Sequence, residues 1–247
     1  MTTAAIIQAR MGASRLPGKM ALTIRGETII EAVLARTSRV FKRSDIYVAT
    51  STNRCDDFIA DIANSLGINV YRGSNNNVLS RYTEIATNMT QDYVCRLTGD
   101  SPLNLVELAP LCANRLRDGD LDYVSTTLKD DYPVGVHVEV FKRECLVERL
   151  PTYIDELSRE HVTPFIYNSG NFKCAALRSE KKYPNARLTL DCLDDFDFFY
   201  KLADYCDKRL SEIQENDLEK IAKTRPELFD INNHILKSRS ISDSDLE

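Results

Sequence analysis

Three cations, Arg10, Arg15 and Lys19, share the run Arg10-Met-Gly-Ala-Ser-Arg-Leu-Pro-Gly-Lys19 with Gly12, Ser14 and Gly18. Cations neutralise a polyanion, glycines let backbone amides approach it, and a hydroxyl adds a donor, so these residue types point to a polyphosphate. Two carboxylates lie far downstream: Asp100 in Thr98-Gly-Asp-Ser-Pro102, and Asp191 in Leu188-Thr-Leu-Asp191. Each follows an apolar stretch, where a carboxylate can reach a divalent cation. Mg²⁺ takes one or two carboxylates and completes its shell with phosphate oxygens and water. Asp100 and Asp191 are therefore expected to share one metal. The blander readings are a solvated basic turn for the loop, and for Asp100 a turn aspartate holding backbone amides.

Local patterning says which elements carry these groups. Ala4 to Ala9 reads as a buried strand that breaks directly into the basic loop. Ile30, Val33, Leu34, Thr37, Val40 and Phe41 follow at helical spacing. Further strands are expected at Ile46–Thr50, Asn69–Tyr71 and Tyr93–Leu97, with helices over 56–66 and 78–89 between them. Strand–helix alternation implies a doubly wound, mostly parallel α/β sheet with right-handed crossovers. Ligands bind beyond the carboxyl ends of such strands. That rule places Gln8-Ala9-Arg10, Thr50-Ser51, Arg72-Gly73 and Thr98-Gly99-Asp100 on one edge. From Leu121 onward, strands are expected at 122–126, 137–141 (half-exposed), 173–177 and 187–190. Helices are expected over 155–167, after Asp194 (with Asp194 or Asp195 as its cap), and over 211–237 with a break near Pro226. Residues 1–247 are read as one domain, with a strand-rich insertion over about 123–172 and a frayed tail over 238–247. The loop is not the NTPase P-loop, because Lys19 is followed by Met20, and no G-x-G-x-x-G occurs.

The Arg10–Lys19 run also resembles the signature of the cytidylyltransferases that make CMP-activated sugar acids, most closely the branch named after spore-coat polysaccharide biosynthesis protein F. Gly99-Asp100-Ser-Pro102 resembles that family's G-D-x-P motif, and Arg187-Leu-Thr-Leu-Asp191 with Asp195-Phe196 resembles its R-L-T-x-D…D-F motif. Arg72-Gly-Ser74 with Val78–Tyr82, Tyr132–Gly135 with Glu139–Phe141, and Arg159–Pro164 are similar as well. The resemblance implies a nucleotide-diphospho-sugar transferase-like, Rossmann-like fold, with CTP and a small anionic acceptor as substrates and Mg²⁺ as cofactor. It implies that Arg10, Ser14, Arg15 and Lys19, with Gln8, Ala9 and Gly12, hold the nucleotide, and that Arg72 and Thr98 lie near cytosine and ribose. Arg15, Lys19 and Asp100 would be catalytic, Asp100 and Asp191 metal ligands, and Glu139, Arg159 and His161 the acceptor side. Related enzymes are commonly dimers, which implies a homodimer through about 123–172.

Read from the residues alone, each has an alternative: Arg72 covering an apolar edge, Glu139 as a solvated strand residue, and His161 as a structural histidine. Asn75-Asn76-Asn77, Ser101 and Val134 depart from the family pattern, the last two near the expected acceptor pocket. The expected reaction is transfer of CMP from CTP to a sugar acid such as a nonulosonic acid, with release of pyrophosphate, in surface polysaccharide biosynthesis. The alternatives are a phosphonate or another acceptor, another base, or a non-catalytic nucleotide-binding protein. A glycosyltransferase is disfavoured, since Asp100-Ser-Pro102 supplies no D-x-D.

Composition sets the outer bounds. A net charge of -5 over 247 residues argues against a general nucleic-acid binder. Seven scattered cysteines without C-x-x-C argue against a zinc ribbon or disulfide framework and for free thiols in a reducing compartment. No apolar run approaches the ~18 residues that span a bilayer, and no leader precedes the first strand. A soluble, cytoplasmic protein is expected.

Overall fold

Ala4, Ala5, Ile6 and Ile7 are all fully buried, so the first strand, β1 (Thr3–Gln8), is apolar on both faces and must lie inside a sheet covered on both sides. The computed structural model, which describes residues 2–179 and 186–235, places it there. After the basic loop come a short hairpin, β2 (Thr23–Ile24) and β3 (Glu27–Thr28), and α1 (Ile29–Thr37). The α1 start is fixed by a capping box: the Thr28 hydroxyl accepts the Glu31 amide, and the Glu31 carboxylate accepts the Thr28 amide. β4 (Ile46–Ser51), α2 (Asp57–Ser65), β5 (Asn69–Gly73), α3 (Val78–Asn88), β6 (Tyr93–Thr98) and α4 (Ala109–Asp118) continue the alternation. β7 (Tyr123–Ser125), β8 (Glu139–Lys142), the short helices α5 (Glu144–Val147), α6 (Glu156–His161) and α7 (Pro164–Asn168), β9 (Cys174–Ala176), α8 (Leu193–Cys206) and α9 (Glu215–Thr224) follow, and a 3-10 turn over Pro226–Phe229 comes after α9.

The main sheet has the order β5-β4-β1-β6-β8-β7-β9. Its β5, β4, β1 and β6 are mutually parallel, whereas β8 pairs antiparallel with both β6 and β7. The mostly parallel α/β sheet expected from the sequence is what forms. Alternate β1 residues feed two cores. Ala5 and Ile7 pack with Val48, Leu97, Phe198 and Phe199, while Ala4 and Ile6 pack with Tyr82, Phe141 and Ile166. Residues 123–172 contribute β7 and β8 to this same sheet, and no described helix is long and apolar enough to cross a membrane.

Three local expectations are corrected. The half-exposed strand over 137–141 is β8, and its Glu139, Val140 and Phe141 are buried, because two strands flank it and helices cover it. The helix over 155–167 splits at Val162, whose φ of 72° ends α6 just before Pro164 opens α7. The strand over 187–190 does not form. That segment is held by one bridge between Val134 and Arg187 and by the Leu190 amide donating to the Asp100 carbonyl at 2.7 Å. The expected frayed tail, 238–247, lies outside the described residues.

Gly135 makes the clamp on 187–190 possible. Its φ is +103°, and a Cβ there would stand 2.3 Å from the Leu188 carbonyl carbon and 2.7 Å from the Thr189 amide nitrogen. Gly135→Ala is expected to destabilise the fold by about 2–4 kcal/mol and to displace Asp191. Thermal melting together with turnover checks both effects.

Candidate active site

The basic loop is held at both ends. Where it leaves β1, the Met11 amide donates to Asp56 Oδ1 at 2.7 Å, and Asp56 Oδ2 accepts the Ser51 amide at 3.1 Å and the Ser51 hydroxyl. Farther on, the Gly18 amide donates to the Met11 carbonyl at 2.8 Å, and Gly18, at φ 74°, turns the chain into a 3-10 turn over Lys19–Ala21. Burial raises the Asp56 pKa, but the hydrogen bonds from Met11 and Ser51 outweigh it and hold the carboxyl below its ordinary value. The stabilisation from its ionisation is therefore complete above the unfolded value near pH ~4 and lost as pH falls through the lower folded value. Asp56→Asn offers one acceptor where both oxygens are used. It is expected to cost about 1–3 kcal/mol at neutral pH and to flatten the acid limb of the stability profile, which melting curves across pH test.

That turn points Lys19 inward, leaving it only 7% exposed. Its ammonium donates to Asp100 Oδ2 and Asp191 Oδ1 at 3.0 Å each and to the Leu190 carbonyl at 2.8 Å. Asp191 Oδ2 meets Arg15 Nη2 at 2.9 Å and Arg187 Nη2 at 2.7 Å. Burial would raise the Asp191 pKa, yet Lys19, Arg187 and Arg15 together hold it below the carboxylate range. Behind it, Arg187 and Asp195 are both fully buried and paired, Nε to Oδ1, at 2.8 Å. Asp195 Oδ2 also accepts the amides of Asp191 at 2.8 Å and Cys192 at 3.1 Å, so it caps α8 while aiming Asp191. Asn232 Nδ2 closes the cluster on the Arg187 carbonyl at 3.1 Å and Asp195 Oδ1 at 3.0 Å.

These groups open into a cavity of about 370 Å³ at the carboxyl ends of β1 and β6. Gln8, Ala9, Arg10, Ser14, Arg15, Lys19, Thr98, Asp100, Asp191 and His161 all line it. The structure does not bring the other expected residues to its wall. Gly12 is exposed on the outside of the loop. Arg72 turns to the sheet edge, where it bonds the Ser51 carbonyl at 3.0 Å, the Asn53 carbonyl at 2.8 Å and Asp57 at 2.6 Å. Glu139 is buried behind the wall, accepting from Arg96, from the Tyr123 hydroxyl at 2.8 Å and from Thr163. Arg159 lines a separate cavity against α3, although its neighbours Glu160 and His161 face the main one.

Three wall residues escaped the sequence reading. Arg96 passes between Glu139 and Gln8, donating to Gln8 Oε1 at 3.1 Å. His137 accepts the Gly135 amide on Nε2 at 3.3 Å, and burial lowers its pKa, so it is neutral at pH 7. Arg81, on α3, is 1% exposed and gives one N–H to the Ala49 carbonyl at 2.8 Å. A buried donor left unmet costs about 1–3 kcal/mol, and the Arg81 Nε is one.

A divalent cation would find two carboxylates here, Asp100 and Asp191, both directed at one cationic nitrogen, with Asp100 Oδ1 free of partners among the described residues. Among those residues no group of three or more His, Cys, Asp or Glu side chains gathers for a metal. Two carboxylates beside a phosphate-type loop form the donor set that Mg²⁺ accepts when phosphates supply the remaining oxygens.

A mostly parallel sheet whose first strand delivers a basic, glycine-containing loop to a cavity with paired carboxylates has the build of a nucleotidyltransferase. The profile of the cytidylyltransferase family matches residues 4–228. The chain belongs to that family, and as a member it is a CTP-dependent nucleotidyltransferase. It is 34% identical over 233 residues to the uncharacterized protein MJ1063 of Methanocaldococcus jannaschii, covering 93% of this chain and 94% of that one. It is 30% identical over 201 residues to the spore coat polysaccharide biosynthesis protein SpsF of Bacillus subtilis, covering 78% and 82%. Among solved structures, a cytidylyltransferase from Leptospira borgpetersenii superposes with a TM-score of 0.84 at 28% identity, covering 93% of this chain and 97% of that chain.

Proposed function

We propose that this protein transfers CMP from CTP to a sugar acid, such as a nonulosonic acid, with release of pyrophosphate, for a surface polysaccharide. The observation that carries the reading is the junction of Lys19, Asp100 and Asp191 at the floor of the cavity. The likeness to a spore-coat polysaccharide protein supports a saccharide acceptor.

The chemistry is an in-line displacement at the α-phosphorus: an acceptor oxygen forms the new P–O bond, and the bond to pyrophosphate breaks. Such a transfer needs positioning and positive charge more than covalent help. Arg10, Ser14 and Arg15 line the phosphate end. Arg15 and Lys19 leave their carboxylate partners to neutralise charge on the departing pyrophosphate. Asp100 and Asp191 would hold Mg²⁺, which when bound neutralises phosphate charge and polarises the α-phosphate. Arg187 keeps Asp191 oriented through the change. Thr189, His137 and Val134 form the acceptor wall. Self-association through residues 123–172 belongs to the same proposal and is supported by the exposed Tyr153 and Leu157 of that region. Light scattering should then give twice the chain mass.

The test is pyrophosphate release with each of the four common NTPs and Mg²⁺ against sugar acids and phosphonates. Release with CTP and a sugar acid is expected. Release only with phosphonates, or with another NTP, overturns the acceptor or the base respectively.

A further inference from the structure

We infer that Glu139 is a positioning residue: through Arg96 it fixes the Gln8 amide, so that Gln8 Nε2 and Arg96 Nη2 offer N–H donors to an electron-rich oxygen of a bound substrate. The inference rests on the transfer reading above and gives a role to a motif carboxylate that reaches no substrate. Glu139 is 3% exposed, and both of its oxygens are taken. Oε1 accepts from Arg96 Nη1, while Oε2 accepts the Tyr123 hydroxyl at 2.8 Å and the Thr163 hydroxyl. Tyr123 and Thr163 are buried as well, so β7 and the residue that precedes α7 anchor the carboxylate from behind. Thr163 is itself held by a tight turn. Val162, at φ 72° and ψ -57°, lets the Thr163 amide donate to the His161 carbonyl at 2.9 Å, a γ-turn of the rare, strained hand. Strain of this kind persists only where the surroundings over-determine it, and it clusters at ligand sites.

The next link is set by chemistry. Arg96 lies opposite Glu139 in the β6–β8 pairing and diagonal to Gln8 across β1 and β6. Its Nε donates to Gln8 Oε1 at 3.1 Å. A guanidinium only donates, so the amide oxygen must face it and Nε2 must face away. Gln8 and Arg96 both line the cavity. Gln8 Nε2 and Arg96 Nη2 have no partner among the described residues, and neither is an enclosed atom. At 7% exposure, Arg96 has little surface besides its share of the wall. A free glutamine amide can show either end to a ligand, whereas here only the donor end is available. Arg96 keeps its place because Glu139 supplies the buried counter-charge. Two N–H donors on adjacent strands suit an oxygen bearing negative charge, whether it comes from the nucleotide or from the acceptor.

Two variants and their combination test this: Gln8→Glu, Glu139→Gln, and both together. Melting curves report the fold, titration calorimetry with Mg²⁺ reports CTP binding, and pyrophosphate release reports the KM for the sugar acid. Gln8→Glu keeps an acceptor for Arg96 Nε, so its melting temperature should match the wild type. It replaces the outward donor by a carboxylate oxygen, and one substrate should weaken on the order of 10- to 100-fold. Weakened CTP assigns the oxygen to the nucleotide. A raised sugar-acid KM with CTP unchanged assigns it to the acceptor. Glu139→Gln should weaken the same substrate about 3- to 10-fold. In the Gln8→Glu background it should add no more than about twofold, because it acts through a group already lost. Effects that add in full make Glu139 a residue of the fold alone and overturn the inference, as does a Gln8→Glu protein with both substrates unaffected. Should Glu139→Gln fail to melt cooperatively, Thr163→Val, which removes one donor to Glu139, takes its place in the cycle with the same two outcomes. A wild type that binds no CTP removes the transfer reading, and this inference with it. One that binds CTP but transfers to no sugar acid removes only that acceptor, and calorimetry alone then decides.

Discussion

Lys19→Met should lower turnover by about 10²–10³-fold while the protein still folds. In the free protein one ammonium satisfies Asp100, Asp191 and the Leu190 carbonyl. On the proposed reading, the same ammonium is the buried positive charge that meets the bound triphosphate. Asp191 keeps Arg15 and Arg187 when Lys19 is lost, so the structural damage is confined. The expected result is a large fall in kcat, a smaller rise in the KM for CTP, and a melting temperature only a few degrees lower. Steady-state kinetics beside a melting curve distinguishes this from simple unfolding. An unchanged kcat would remove the loop from the chemistry.

The second large effect lies outside the cavity. Asp195→Ala leaves the fully buried Arg187 guanidinium with Asp191 as its one remaining carboxylate among the described residues, and takes an acceptor from the amides of Asp191 and Cys192 and from the Asn232 side chain. Breaking one partner of such a buried pair costs about 3–5 kcal/mol, a large part of the ~5–15 kcal/mol that stabilises a domain. The melting temperature should fall by roughly 10 °C. Replacing both partners by apolar residues, Arg187→Met with Asp195→Leu, should recover much of that loss, because no unpaired charge remains. Turnover should not recover with it, since Asp191 then has neither the Arg187 guanidinium nor the Asp195 carboxylate to orient it. A double variant that regains both would show that the pair serves stability alone.

What was legible in the sequence depended on how local the cause was. The Arg10–Lys19 loop follows β1 directly, and strand-then-loop order is enough to bring it to the sheet edge. Asp100 ends the next strand over, so its convergence with the loop follows from topology. Asp191 reaches the same point by another route than expected: 187–190 is a clamped segment between Val134 and Asp100, not a strand, and Gly135 permits the approach. Glu139 alternates with valines as a half-exposed strand would, yet β8 is flanked by β6 and β7, a pairing that no local pattern announces. Arg72 carries the motif position, but three acceptors on the β4 side hold it at the edge. Arg81 was hidden by its own helix, where Val78, Leu79 and Tyr82 made the pattern look like packing. Asn232 lies in a stretch, about 226–235, of only weak family similarity, and its role there is set by one backbone and one side-chain oxygen distant in sequence.

The claim at the centre of this account is that the bond made to the acceptor is at the α-phosphorus of CTP. Its most direct test is label transfer from CTP labelled at the α-phosphorus and, in parallel, at the γ-phosphorus, with Mg²⁺ and a sugar-acid acceptor. The account predicts that the α-label appears in the acceptor product and the γ-label in pyrophosphate. A γ-label on the acceptor, or α-label retained only in free nucleotide while the γ-phosphate is lost, would contradict it.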